Sequence, residues 1–168
     1  MQFAKDSFYV ALRDRLAVVN PARTVAINGA TRPAVLVAEN EPATATPVLA
    51  NAFHLTWGSL QAAVGEETAK RPLLTLACEV RYGTSGTLDG AVDRGRVMAA
   101  LDTELLEICS PGRTRKQDYT QTTPVDLGSF VIWTKPVLKA IETDRKTGLT
   151  LVRNAELMVF FFPEVDLT

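Results

Sequence analysis

Histidine and cysteine are almost absent: the 168 residues hold one of the former, His54, and two of the latter, Cys78 and Cys109. A single imidazole, with no second His, Cys or carboxylate at ligand spacing, makes neither a metal site nor a proton relay, so His54 is expected to face solvent or hold a hydrogen bond. No Gly-x-Ser-x-Gly, His-Glu-x-x-His or Cys-x-x-Cys run occurs, which leaves no nucleophile, base and orienting group to assemble. The expectation is a protein that is not an enzyme and uses no cofactor and no metal. An excess of one charge is also missing: Lys and Arg number 18, Asp and Glu 19, and the formal net charge is -1. Nothing draws the whole chain to nucleic acid, and any anion contact must be local. Apolar runs are short, none approaching the ~20 residues of a membrane span. The opening MQFAKDSFYVALRDRL carries charges every few residues, unlike a signal peptide. No membrane partner is expected, and manufacture and use in the cytoplasm are.

A phosphate loop is missing as well. Gly83, Gly86 and Gly90 punctuate a turn between a strand and a helix, where such loops occur. Their spacing is not Gly-x-Gly-x-x-Gly, and the turn has no Lys followed by Ser or Thr. A flexible turn is the simpler account, with Asp89 or Asp93 near the helix N-terminus.

The residues present describe a globular domain. With 46% hydrophobic and 22% charged residues, residues 1–168 read as a single domain that can bury a sizeable core. Residues 5–19 read as a helix, with Phe8, Leu12, Leu16 and Val19 on one stripe, ended by Asn20-Pro21. Asn28-Gly29 between RTVAI and ATRPAVLVAE is the strongest hairpin signal. Pro33 cannot donate to a ladder, so the arm that carries Val35 and Val37 is expected to have a free side near position 33 or to protrude beyond the sheet, and to offer Pro33, Val35 and Val37 as an edge that a neighbouring subunit could pair with. Residues 39–52 read as an exposed connection. Phe53, Leu55 and Trp57 alternate in a short strand, and residues 59–72 read as mixed and polar.

Leu74, Leu76, Cys78 and Val80 share one parity of an interior strand. From about Ala91, Met98, Leu101, Leu105 and Ile108 recur at helical spacing, until Pro111 and Gly112 stop the helix. Cys78 and Cys109 thus read as buried free thiols. The acidic pairs Asp102 with Glu104 and Glu66 with Glu67 read as solvated faces. Residues 113–126 read as a polar loop in which Arg113, Arg115 and Lys116 gather beside Tyr119. That loop could touch DNA, line a charged seam between subunits, or be merely solvated. The finish is β-rich: SFVIW at 129–133, PVLKAIETD at 136–144 and LTLVRNAELMVFFF at 149–162, expected as an antiparallel meander. Three consecutive phenylalanines, Phe160 to Phe162, cannot all face one core. Two-sided burial or an interface follows. The fold class expected is α+β, with a mixed or antiparallel sheet, two main helices packed on it and a protruding hairpin.

The order of these elements resembles the tail-terminator, or tail-completion, proteins of tailed phages and phage-derived tail-like particles. The residues that carry the resemblance are DSFYVALRDRLAVVNPARTV at 6–25, RPAVLVAENE at 32–41, and RYGTSGTLDGAVDRGRVMAALDTELLEI with the lysine and Asp118-Tyr119 that follow. The resemblance implies a small structural subunit that assembles with itself as a ring, usually a hexamer. Such a ring closes the tail tube and joins it to the head. It further implies the tail tube protein and head–tail connector proteins as partners, non-specific contact with DNA in the lumen, and a place in the virion tail or neck after assembly in the bacterial host cytoplasm. Another neck protein, or a small non-enzymatic binding module of a tail-like particle, is the alternative.

Overall fold

The computed structural model describes residues 1–40, 49–85, 93–143 and 150–164. Helix α1 (Gln2–Val19) buries Ala4, Phe8, Leu12 and Leu16 along one stripe, with Ser7 and Tyr9 beside them. It ends where expected: the Asn20 N–H donates to the Leu16 carbonyl at 2.8 Å and Asn20 itself leaves the helical region. Strands β1 (Thr24–Ile27) and β2 (Ala30–Pro33) then pair antiparallel as a two-stranded sheet of their own. Asn28 and Gly29 both take positive φ, 51° and 79°, as a tight primed turn requires.

The arm is shorter than the sequence suggested. It stops at Pro33, and Val35–Val37 form a separate strand, β3, parallel to β4 (Phe53–Ala62) in the main sheet. Val35, Leu36 and Val37 are 0%, 2% and 3% exposed. The reason is local: Ala34 donates its N–H to the Arg23 carbonyl and accepts from Phe53 N–H, so the chain turns from the hairpin into the sheet within one residue. An unbroken Val-Leu-Val run is what a strand covered on both faces looks like. Val35 and Val37 are core residues and not contact residues.

The main sheet also contains β5 (Leu74–Gly83), β6 (Gly112–Asp118), β7 (Val125–Trp133), β8 (Val137–Leu138), β9 (Glu142–Thr143) and β10 (Leu151–Phe161). Its order is β3-β4-β5-β10-β7-β6, with β8 and β9 also on β10. Every pairing but β3 with β4 is antiparallel. Strand β10 is the spine: one edge takes β5 from Val152↔Gly83 to Phe161↔Leu74, and the other takes β9, β8 and β7 in turn. Ala155, Leu157, Val159 and Phe161 point inward beside Val80, Cys78, Leu76 and Leu74. Gly83 is held to glycine by that pairing, since a Cβ there would lie 2.8 Å from the Leu151 carbonyl oxygen.

Helix α2 (Asp93–Ile108) buries Met98, Leu101, Leu105 and Ile108, the four residues that periodicity picks out, and lies against α1 and β10. Asp93 stands in its first turn, while Asp89, Gly86 and Gly90 lie outside the described residues, as does most of the 39–52 connection. The sheet is mixed and curled, the class is α+β, and no described helix is long and apolar enough to cross a membrane.

The position of β3 yields a prediction. Replacing Val35 and Val37 together with Asp puts unpaired charge into the core, and the cost is several kcal/mol, enough to unfold a domain of ordinary stability. Circular dichroism should show loss of the folded state, and a cooperative wild-type-like melt would contradict the placement of β3.

Candidate functional site

The inner face of the sheet is filled by the two helices, and the outer face carries the surface with the most to offer a partner. On β7, Val131 and Trp133 point inward, so Phe130 and Ile132 must point outward, where they are 37% and 41% exposed. Ile132 is paired with Phe160 of β10 on one side and Arg113 of β6 on the other; Phe130 is paired with Arg115. Met158 follows Phe160 on the same face, and Val137, 61% exposed, lies opposite Glu156. Large apolar side chains thus run across the outer face from β7 to β8.

The two ends of this apolar band differ in charge. At the β6 end the guanidinium carbons of Arg113 and Arg115 sit 4.8 and 4.7 Å from the centre of the Phe130 ring, close enough for cation–π attraction. Arg115 also pairs with Asp126 at 3.3 Å. At the other end Glu156 lies directly opposite Glu79, with Lys139 bridging to Glu156 at 2.7 Å. Like charges paired across strands oppose each other.

The structure divides the sequence-predicted basic group. Residues 113–118 are not loop but strand β6, so alternate residues face opposite ways: Arg113 and Arg115 outward, Lys116 inward. Lys116 is 3% exposed and donates from Nζ to the Phe162 carbonyl at 3.0 Å. Burial, with the Arg71 charge as a lesser cause, pulls its pKa below the ordinary lysine value against the pull of Glu164. Three cations therefore do not share a surface. Lys116 instead lines a cavity of about 430 Å³ together with Ser129 and Phe162. Pro33, at the end of β2, is half-buried.

The acidic pair Asp102 and Glu104 is not a solvated helix face. Tyr82 donates its hydroxyl to Asp102 Oδ1 at 2.6 Å and Arg153 pairs with Asp102 Oδ2 at 3.1 Å. Glu104 is gripped by Arg23 through Nε and Nη2 at 2.8 and 2.9 Å and by Asn20 Nδ2 at 2.7 Å. Both clusters tie α2 to its neighbours. Burial pushes the Tyr82 phenol far up and the Cys109 thiol up to about 12, with Cys78 well above its usual value too. Protonated, buried thiols are poor nucleophiles. His54 Nε2 lies 3.3 Å from the Leu49 carbonyl, and among the described residues no three His, Cys, Asp or Glu side chains gather to hold a metal.

Phe130 and Ile132 were missed by sequence reasoning, although SFVIW is apolar on both parities and so signals a strand with two greasy faces. No protein-family model matches the chain, and a search of curated proteins finds no match.

Glu104 gives a pH prediction. Burial would raise its pKa, but the hydrogen bonds from Arg23 and Asn20 and the Arg23 charge outweigh this and leave it lowered. A carboxylate whose folded pKa is depressed contributes stability above its unfolded value, near ~4.3, and loses it as pH falls through the folded one. Glu104→Gln should cost about 1–3 kcal/mol at neutral pH and flatten the acid limb of the urea stability profile. Parallel profiles for variant and wild type would contradict a functional ion pair.

Proposed function

We propose that the chain is a structural subunit of a phage tail or tail-like particle, a tail-terminator-like protein that assembles with itself as a ring, caps the tail tube and joins it to the head. Its partners on this account are further copies of itself, the tail tube protein and head–tail connector proteins, in the tail or neck of a virion put together in the bacterial cytoplasm. The stretches at 6–25, 32–41 and 81–108 suggest the family, and the observation that carries the proposal is the outer sheet face. An apolar band that no helix among the described residues covers is the kind of surface that marks a protein contact. Arginines at one end and two glutamates at the other, one of them paired with Lys139, suit a head-to-tail contact, in which one end of the band meets the opposite end of a neighbour's, as rings require. Arg113 and Arg115 then serve the seam between subunits or meet DNA in the lumen. Val35 and Val37, buried in β3, take no part in the contact. The alternative, another neck protein or a small non-enzymatic binding module, is favoured by the cavity beside Lys116.

Sedimentation and light scattering test the proposal. The wild-type protein, alone or with a tail tube protein, should form a closed oligomer, and Ile132→Asp should remain folded but monomeric, because the substituted site is exposed and a specific contact buries above about 1,000 Å². A wild-type protein that stays monomeric and leaves tube ends uncapped contradicts ring assembly. An Ile132→Asp protein that still assembles removes the outer face from the contact.

A further inference from the structure

The pairing of β6 with β7 breaks step beside Lys116. Arg115 lies opposite Phe130, but Gln117 already lies opposite Asp126. Strand β7 therefore carries surplus residues at Leu127, Gly128 and Ser129, which bow out of the ladder. Gly128 takes a φ of +72° and donates its N–H to Asp126 Oδ1 at 2.8 Å, so the bulge is held by a turn of its own. Bulges of this kind recur where a sheet re-aims side chains toward a site. The space opened is the cavity of about 430 Å³, which extends to Phe3 at the start of α1 and to Phe162 and Glu164 beyond β10. That volume lies within the range of small-ligand pockets, about 300–1,000 Å³.

Among the described residues the polar groups around it are under-used. The Lys116 ammonium has three donors, and one is accounted for, by the Phe162 carbonyl. Ser129 Oγ is buried and has no hydrogen-bond partner among the described residues. Arg71, exposed, adds a second cation at the wall. Glu164, the one carboxylate among the described wall residues, already accepts the Phe3 N–H at 2.9 Å and forms an ion pair with the N-terminal ammonium of Met1. With Glu164 already matched by the N-terminal ammonium, the Lys116 and Arg71 cations are left next to the apolar surfaces of Phe3, Leu127 and Phe162. A lysine and a hydroxyl so placed are costly in a purely structural wall, where a methionine and an alanine would do better.

We propose that this cavity is a binding site for an organic monocarboxylate, its carboxylate held by Lys116 and Ser129 with Arg71 at the wall, and its apolar group lying against Phe3, Leu127 and Phe162. The apolar walls suit an organic acid over a bare inorganic anion, because an apolar group laid against Phe3, Leu127 and Phe162 adds a hydrophobic gain that phosphate lacks. The ligand is either a free aliphatic acid or the carboxy-terminal residue of a partner polypeptide with an apolar last side chain. The site stands on the β7 bulge and its polar groups, and is independent of ring assembly.

Calorimetric titration of the full chain with sodium octanoate, and with a leucine-ended hexapeptide as free acid and as amide, tests it. Octanoate or the acid peptide should bind saturably, and the amide at least about tenfold more weakly, the usual worth of a hydrogen bond to a charged group. The tighter of octanoate and acid peptide identifies the source, free acid or chain end. Lys116→Met should lose at least about tenfold in octanoate affinity with its circular dichroism unchanged. Arg71→Gln, at an exposed position, should lose severalfold, and wild-type affinity should fall as rising pH deprotonates Lys116. No saturable binding at about 10 mM, an amide that binds as well as the acid, or wild-type affinity in Lys116→Met overturns the proposal. Should Lys116→Met fail to fold, an unchanged Arg71→Gln affinity together with a flat pH profile overturns it equally.

Discussion

The whole structure hangs on one aromatic side chain of α1. The Phe8 ring stands 5.8 Å from that of Trp57 at 61° and 5.3 Å from that of Trp133 at 73°, edge-to-face contacts on two sides. Trp57 belongs to β4 and Trp133 to β7, with β5 and β10 between them. In a flat sheet those outer strands would be about 14 Å apart, and one phenyl group could not touch both. The sheet must curl around the helix. Helix α1 accordingly lies against β3 at one edge and β6 at the other. There Ser7 Oγ accepts the Gln117 N–H at 2.9 Å, filling a hydrogen-bonding position that an open edge would leave unpaired.

The rest of the fold is fastened to that helix. Arg15 stacks 4.8 Å over Trp133 and donates to the Ile108 and Ser110 carbonyls at the end of α2. Asn20 and Arg23, just beyond α1, hold Glu104 from the other side. Such half-buried ion pairs add little net stability, but they specify which helix face meets which neighbour. With both helices committed to the concave side, no helix among the described residues covers the convex one. The apolar band from Phe130 to Val137 is thus a consequence of topology as much as of composition, and so is its value as a contact surface.

Much of this was legible in the residues themselves. Phe8, Leu12 and Leu16, and Met98, Leu101, Leu105 and Ile108, declare their helices because large apolar side chains at a 3.6-residue period line up on one face only when the backbone is helical. Asn28-Gly29 declares its turn because few dipeptides tolerate two positive φ angles. The failures have one physical cause, that strand pairing is non-local. The GRTRKQD segment has no apolar alternation, and it is a strand because β7 and α1 supply its partners. Val35 to Val37 could equally be an exposed arm or a strand buried on both faces, and only the neighbours decide. Lys116 looks the same as Arg113 and Arg115 when charges alone are counted. Its opposite parity, once β6 is known to be a strand, is what sends it inward.

Phe8 touches both tryptophans that the chain contains, so their fluorescence reports directly whether α1 holds the curled sheet together. Urea unfolding of Phe8→Ala should show a loss of about 3–5 kcal/mol. The same variant carrying Trp57→Phe or Trp133→Phe should report a single common midpoint from either remaining tryptophan, because one helix holds β4 and β7 together. A loss below about 1 kcal/mol, or separate midpoints for the two tryptophans, would show that the sheet keeps its curl without the helix.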